Sequence, residues 1–350
     1  MEAGMITSRL YDKVYGCLVG GLVGDALGGP AEGLHYRAIQ ERHGEIVEML
    51  EYRGRPAGSA TDDSMLKHML CKAIIRRRGR VTPDDWAEVW REDMDTRYFM
   101  TPVVNSYYKI AYVGVPPREA GRGNMTSNSS AMCISPIGIL NAGDPARAAA
   151  DAYDATQLIH SGFCQDGASA AAAAVAAAFS PEATAESIVA AATRHLPAGE
   201  MRDSLTATLA LAREAGNYAA FRERYYDGHL LPWPRRPDDP PERSTAVDPR
   251  ESVSVALAIL ALARGDTYRT IVDCANFGRD ADTIATIAGA VVGALNGASS
   301  IPENWLKPVL AVAAVDQAEL ARQLLDVLLE QVAEAEARVA RLRTLASTIA

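Results

Sequence analysis

Three short stretches carry carboxylates at spacings from which they could act on one ion or one substrate. GDALGGPAE ends in Glu32, ATDDSML holds Thr61, Asp62 and Asp63, and GRDADT holds Asp280, Asp282 and Thr283. The second and third stand directly before apolar helical runs, so one reading is plain capping. A side-chain oxygen accepts bonds from the first free amides of a helix, and carboxylates suit its positive end. VTPDDWAEVW, with Thr82, Pro83, Asp84 and Asp85, is a cap of that kind and supplies an internal comparison. The other reading is a metal site. Asp280 and Asp282 would point in nearly opposite directions on a regular helix, so both reach one ion only where the chain is still turning into it. An EF-hand is excluded, because Ile284 and Val291 stand where a calcium loop needs further ligands. Glu32, Asp62, Asp63, Asp280 and Asp282, with the two threonine hydroxyls, form an oxygen-only donor set suited to Mg²⁺, Mn²⁺ or Ca²⁺ and not to zinc. If they converge, a cation is required to offset their repulsion, and that many acids could hold two.

The motifs resemble those of the ADP-ribosylglycohydrolases, a family that includes dinitrogenase-reductase-activating glycohydrolase and the ADP-ribosyl-arginine and ADP-ribosyl-serine hydrolases. The family's Gly-Asp-Ala-x-Gly followed by Pro and Glu is matched by Gly24, Asp25, Ala26, Leu27, Gly28, Pro30 and Glu32. Its Thr-Asp-Asp is matched by Thr61 to Asp63, and its late Asp-x-Asp-Thr with a Gly-Ala-x-x-Gly helix by Asp280 to Thr283, Gly289, Ala290 and Gly293. The resemblance implies an all-α orthogonal helical bundle. It also implies a pair of Mg²⁺ ions bridged near Asp282, with Thr61, Asp62, Asp63, Asp280 and Thr283 as the other ligands. The implied reaction is hydrolysis at the anomeric carbon of a ribose, and Glu32 is the candidate carboxylate for taking the proton. Asp25 is read either as an anchor behind the metal ligands or as a cap of the glycine-rich turn.

The chain departs from the family pattern in two places. Where many members carry Gly-Asn-Gly-x-x-Met-Arg against the diphosphate of ADP-ribose, this chain has Asn128, Ser129, Ser130, Ala131, Met132 and Cys133. Serines replace glycines and a positive charge is lost, which shifts weight from ADP-ribose toward a smaller N-ribosyl metabolite or nucleotide. Before the first late aspartate many members have glycine, and here stands Arg279, which would meet a substrate anion or pair with local acids. Asn128, Ser129, Ser130, Met132, His160 and Arg279 are therefore the substrate-side candidates. Phe163 could stack a base or sit in the core.

The elements that must position these residues read almost entirely as helix. Ser64 to Arg78 places Met65, Leu66, Met69, Leu70, Ala73 and Ile74 at three- and four-residue intervals, with Gly79 as the stop. Residues 166–179 are alanine-dense and predict a central, closely packed helix. Residues 113–131 and 226–250 read as a long loop and a proline-rich excursion. The acidic motifs lie on both sides of each, so one domain over 1–350 is expected. The last helix, from about Asp316, carries an apolar stripe that covers the core or, alternatively, serves an oligomer.

With 350 residues and 48% hydrophobic content the chain can bury a large core. A net charge of −9 argues against a broad nucleic-acid footprint or adhesion to an anionic membrane. The expected partners are a ribosylated small molecule or an ADP-ribosylated protein. Five scattered cysteines, no secretion signal and no apolar run of membrane-spanning length point to the cytoplasm. The rival of another class is a non-catalytic, metal-stabilised binding or structural member of the same fold.

Overall fold

The structure, a computed structural model, describes residues 8–232, 244 and 246–347. Among these residues the regular secondary structure is helical, with isolated bridge residues at Leu34, Tyr52 and Arg55. The helices that position the site are α1 (Arg9–Gly28), α2 (Asp62–Arg77), α3 (Pro83–Asp93), α4 (Pro145–Ala155), α5 (Phe163–Ala178), α6 (Pro249–Leu262), α7 (Thr267–Ala275), α8 (Ala281–Asn296) and α9 (Gln317–Ser347).

The central pair is α1 and α8, which run antiparallel with their backbones in near contact. Along α1, Gly16, Gly20, Gly24 and Gly28 form a ridge one turn apart. A methyl group added to them would lie 2.4 Å from the Gly293 carbonyl oxygen, 2.3 Å from that of Gly289, 2.1 Å from that of Ala285 and 2.6 Å from that of Ala281. Only hydrogen fits at such separations, so the two helices approach more closely than the usual 8–10 Å between axes. The run of small residues after GRDADT is therefore the matching face of a helix-to-helix seam.

Around this pair the alanine-dense α5 is buried along nearly its whole length, packing against α4, α6 and α8. Helix α2 lies against α1 on one side and α9 on the other, where His68 and Gln317 share a hydrogen bond of 3.0–3.4 Å. It begins two residues earlier than the apolar pattern predicts. Its stop is not Gly79: Arg78 itself takes the left-handed conformation at φ 51°, with its guanidinium paired to Glu330 of α9. The expected loop at 113–131 contains short helices at Pro117–Ala120 and Ser129–Met132. Within the expected excursion at 226–250, residues 233–243 and 245 lie outside the described residues, while α6 begins at Pro249.

Helix α9 divides in two. Leu320, Leu324, Leu325, Val327 and Leu328 are buried against the body, whereas every residue from 332 to 347 is exposed. The stripe thus covers the core for only its first half.

Candidate active site

The antiparallel seam brings the C-terminal end of α1 to the start of α8: a methyl group on Gly28 would lie 2.6 Å from the Asp282 Cα. Just beyond α1, the Gly33 N–H donates to the Arg279 carbonyl at 2.6 Å, and the Arg279 N–H donates to the Leu34 carbonyl at 2.8 Å. This pair of backbone bonds fastens the segment after Glu32 to the segment before Asp280. Two acidic motifs separated by most of the chain are thereby held side by side.

Asp25 brings in the third. Fully buried on α1, it accepts the backbone N–H of Thr61 at 2.8 Å and that of Ser64 at 3.1 Å. It therefore anchors the first turn of α2 and does not cap its own glycine-rich turn. With Asp25 taking those amides, the acids of α2 are released from capping. Thr61 accepts the Asp63 N–H at 3.3 Å, but Asp63 Oδ2 is buried with no hydrogen-bond partner.

The comparison helix α3 behaves differently. Asp85 there returns its carboxylate to the Thr82 N–H at 2.8 Å and hydroxyl at 2.6 Å, closing a capping box. In α8 the capping reading fails as well, because Asp280 occupies the N-cap position without making a side-chain cap bond. It accepts instead from the Asn128 side-chain amide, and Asp282 Oδ1 is a second buried oxygen without a partner.

The electrostatics follow from this crowding. Burial pushes the Asp62 carboxyl up to about 7, and the Asp25 and Glu32 charges add to the shift. Asp280 is also raised to about 7, by burial first and then by Glu32, while Asn128 and Thr283 pull the other way. Asp63 and Asp282 stand well above ordinary carboxylate values, through burial and then through their acidic neighbours. Glu32 is the exposed member, with 30% of its side chain open to solvent; its Oε2 accepts from Arg53 Nη1 at 2.6 Å.

Among the described residues no group of three or more histidine, cysteine, aspartate or glutamate side chains is drawn together closely enough to hold a metal ion. What the acids offer a hard cation is two orphaned carboxylate oxygens within a field of like charges. An unpaired buried anion costs several kcal/mol, so such a set calls for protons or a cation.

The family model described as ADP-ribosylglycohydrolase matches residues 6–338. The chain belongs to the ADP-ribosylglycohydrolase family. It is 28% identical over 320 residues to YegU of Escherichia coli (strain K12), a match covering 83% of this chain and 89% of that one. It is 27% identical over 322 residues to ADP-ribosylhydrolase ARH3 of Gallus gallus, covering 83% of this chain and 87% of the relative. A solved structure described as an ADP-ribosylglycohydrolase-related protein complex shares the fold, with a TM-score of 0.65 over 91% of this chain and 98% of that chain at 22% identity.

In this ADP-ribosylglycohydrolase-type hydrolase the loop at 127–133 lies beside the acids. Asn128 is tied to the acids through Asp280, to Ser252 Oγ at 3.1 Å, and by its own N–H to the Val247 carbonyl at 2.8 Å. The serines beside it turn inward. Ser129 Oγ lies 2.9 Å from Ser127 Oγ, and His160 is held between Ser127 Oγ at 3.0 Å and Ser130 Oγ at 2.6 Å. Burial drives the His160 imidazole down to about 3, so it is neutral in this network. Met132 is 4% exposed and packs in the core with Ala171, Val175 and Ile287. Of the substrate-side candidates, the structure thus links Asn128 directly to the acids and places Ser129, Ser130, Met132 and His160 in the supporting interior.

Arg279 is a correction to the substrate-anion alternative. Its guanidinium is 5% exposed and spent on Glu251 Oε1 at 2.7 Å and Oε2 at 3.0 Å, on the Leu231 carbonyl at 2.9 Å and on Ser244 Oγ at 3.3 Å. Its φ of 60° lies in the left-handed region that favours glycine. The strain of about 1–2 kcal/mol is held in place by the buried, bidentate pair with Glu251. Phe163 is likewise engaged, with the Arg250 guanidinium 4.3 Å above its ring.

Sequence reasoning missed Lys67 altogether. Fully buried one turn beyond Asp63, its ammonium donates to the Leu18 carbonyl at 3.2 Å, and its positive charge opposes the upward shift of Asp25. The only signal was a lysine on the apolar face of α2. Arg53 was missed too, since an exposed turn residue carries no spacing signature toward Glu32.

Proposed function

We propose that this hydrolase cleaves a ribose glycosidic bond, of N- or O-type, at the acid cluster, with Glu32 as the proton-accepting carboxylate. The observation that carries the reading is the pair of buried, unpartnered oxygens Asp63 Oδ2 and Asp282 Oδ1, which no capping role explains. Thr61, Asp62, Asp63, Asp280, Asp282 and Thr283 would hold two Mg²⁺ ions, with Mn²⁺ or Ca²⁺ as alternatives. When bound, such ions would supply orientation of the sugar hydroxyls and polarisation of a water. Asp25 fixes the turn that presents Asp62 and Asp63, and Asn128 fixes Asp280. Glu32 gives one oxygen to Arg53, which orients the carboxylate, and keeps Oε1 to accept a proton from the attacking water. Hydrolysis then transfers hydroxide to the anomeric carbon as the bond to the leaving group breaks.

Two substrate classes are supported by different observations. The family and the relative called ADP-ribosylhydrolase ARH3 support removal of ADP-ribose from a modified side chain. The inward-turned hydroxyls of Ser129 and Ser130 support a smaller N-ribosyl metabolite or nucleotide, because they are spent within the protein and not offered to a diphosphate.

The test is release of ribose or ADP-ribose from ADP-ribosylated arginine, ADP-ribosylated serine, nucleosides and simple N-ribosyl metabolites, with Mg²⁺ and with EDTA. Metal-dependent release from one class is the expected result, and Asp282→Asn is expected to lower it by about two to three orders of magnitude while helicity is retained. Undiminished turnover by that variant would overturn the assignment of the acids. Absence of release from every class would favour a binding member of the fold.

A further inference from the structure

The outer half of α9 stands away from the body as a helix with an apolar seam and, among the described residues, nothing packed on it. Residues 332–347 extend about 24 Å at 1.5 Å per residue. On them Val332, Val339, Leu342 and Leu345 are 46%, 45%, 55% and 67% exposed. An isolated helix of this length is marginal in water, and helices in proteins draw most of their stability from packing an apolar face.

The spacing of that face is specific. Leu325, Leu328, Val332, Ala335, Val339, Leu342 and Ala346 alternate three- and four-residue steps, the seam of a coiled coil. The seam starts beneath the body, at buried Leu325 and Leu328, and continues into solvent without a break. Beside it lies an open groove of about 1200 Å³, between the overhang and a rim that includes Arg78, Arg80 and Arg147, with Ala335, Val339 and Leu342 on its helical wall.

Charge selects the occupant. Glu330, Glu334 and Glu336 form an acidic block, followed by a basic block of Arg338, Arg341 and Arg343. Of these only Glu330 has an ion-pair partner among the described residues, in Arg78. A parallel copy would set acid on acid and base on base. An antiparallel copy sets each acidic block against the other chain's basic block.

We propose that the exposed outer half of α9 pairs antiparallel with that of a second copy of this chain, overlapping over residues 332–342 and centred on Ala337, to form a two-fold symmetric dimer. In the register that matches the blocks, Val332 of one copy meets Leu342 of the other and Ala335 meets Val339. These are the a-to-d layers of an antiparallel coiled coil, with small residues opposite large ones, and Glu336 lies on the same flank as Arg343 of the other copy. The interface is isologous, so it closes at two copies and does not propagate.

Sedimentation velocity of the full-length chain over a concentration series tests this. The expected result is a dimer whose dissociation constant weakens by more than about tenfold in the double variant Val339→Glu with Leu342→Glu. Helicity should change little, since both side chains are exposed. Glu336→Arg should weaken the dimer, and adding Arg343→Glu should restore it, a rescue that general loss of folding would not give. A chain that stays monomeric at every concentration, a dimer indifferent to the two glutamates, or failure of the charge swap to restore pairing would each overturn the proposal.

Discussion

At the scale of single residues, burial first and acidic neighbours second push the carboxyls of the candidate site upward, and this gives a signed pH dependence. Asp62 and Asp280 are raised from 3.8 to about 7. An acid whose folded pKa is raised binds more protons folded than unfolded, so its share of stability is present below about 4 and is lost as pH climbs to about 7. A divalent ion held by the same carboxylates must displace those protons, so the rise in Tm on adding Mg²⁺ should grow between pH 5 and pH 7.5 and level off above. His68 and His160, driven down to about 3 by burial, act in the opposite sense below their ordinary 6.5, and Asp273, raised to about 6, acts in the same sense as the site acids. The readout is therefore the Mg²⁺-induced increment measured calorimetrically at each pH, which cancels these bystanders. An increment that does not vary with pH would mean that the ion binds elsewhere.

At the scale of elements, the site rests on how closely α1 and α8 approach. Gly20→Ala puts a methyl group 2.3 Å from the Gly289 carbonyl oxygen, which only backbone movement can relieve. Overpacking of this kind costs about 1–3 kcal/mol. Because the displaced seam also carries Asp25 and Asp282, thermal unfolding of the variant should show a lowered Tm together with a smaller gain from Mg²⁺. A lowered Tm with an unchanged gain would separate the seam from the site. The same elements show what the chain's letters could and could not say. TDD in α2 and TPDD in α3 look alike as text, and only the distant Asp25, which takes over the capping of α2, makes them different. The helical fold, the alanine-rich α5 and the three acidic motifs were legible because periodicity and motif are local properties. Lys67, the Asn128 to Asp280 bond and the Arg279 to Glu251 pair were not, since each depends on which side chain of another element arrives.

At the scale of the molecule, stability is graded outward from the central pair. The backbone amides of α1 and α8 should exchange with solvent hydrogen most slowly, at rates set by global unfolding, and those of residues 109–113, where Tyr112 and Val113 are each 73% exposed, should exchange among the fastest. Mass-resolved hydrogen exchange measures both, and early exchange across α1 would contradict the seam as the centre of the fold. The seam also joins segments far apart in the sequence, with Gly16 meeting Gly293 and Gly24 meeting Ala285. During synthesis at roughly 5–20 residues per second, α1 must leave the ribosome and wait on the order of 13–55 seconds before its partner is made. In that interval a twenty-residue, glycine-ridged apolar helix has no counterpart. The newborn chain should therefore depend on chaperones that shield α1, and stalled products ending before residue 281 should accumulate as insoluble material even though most of the helices before α8 are complete.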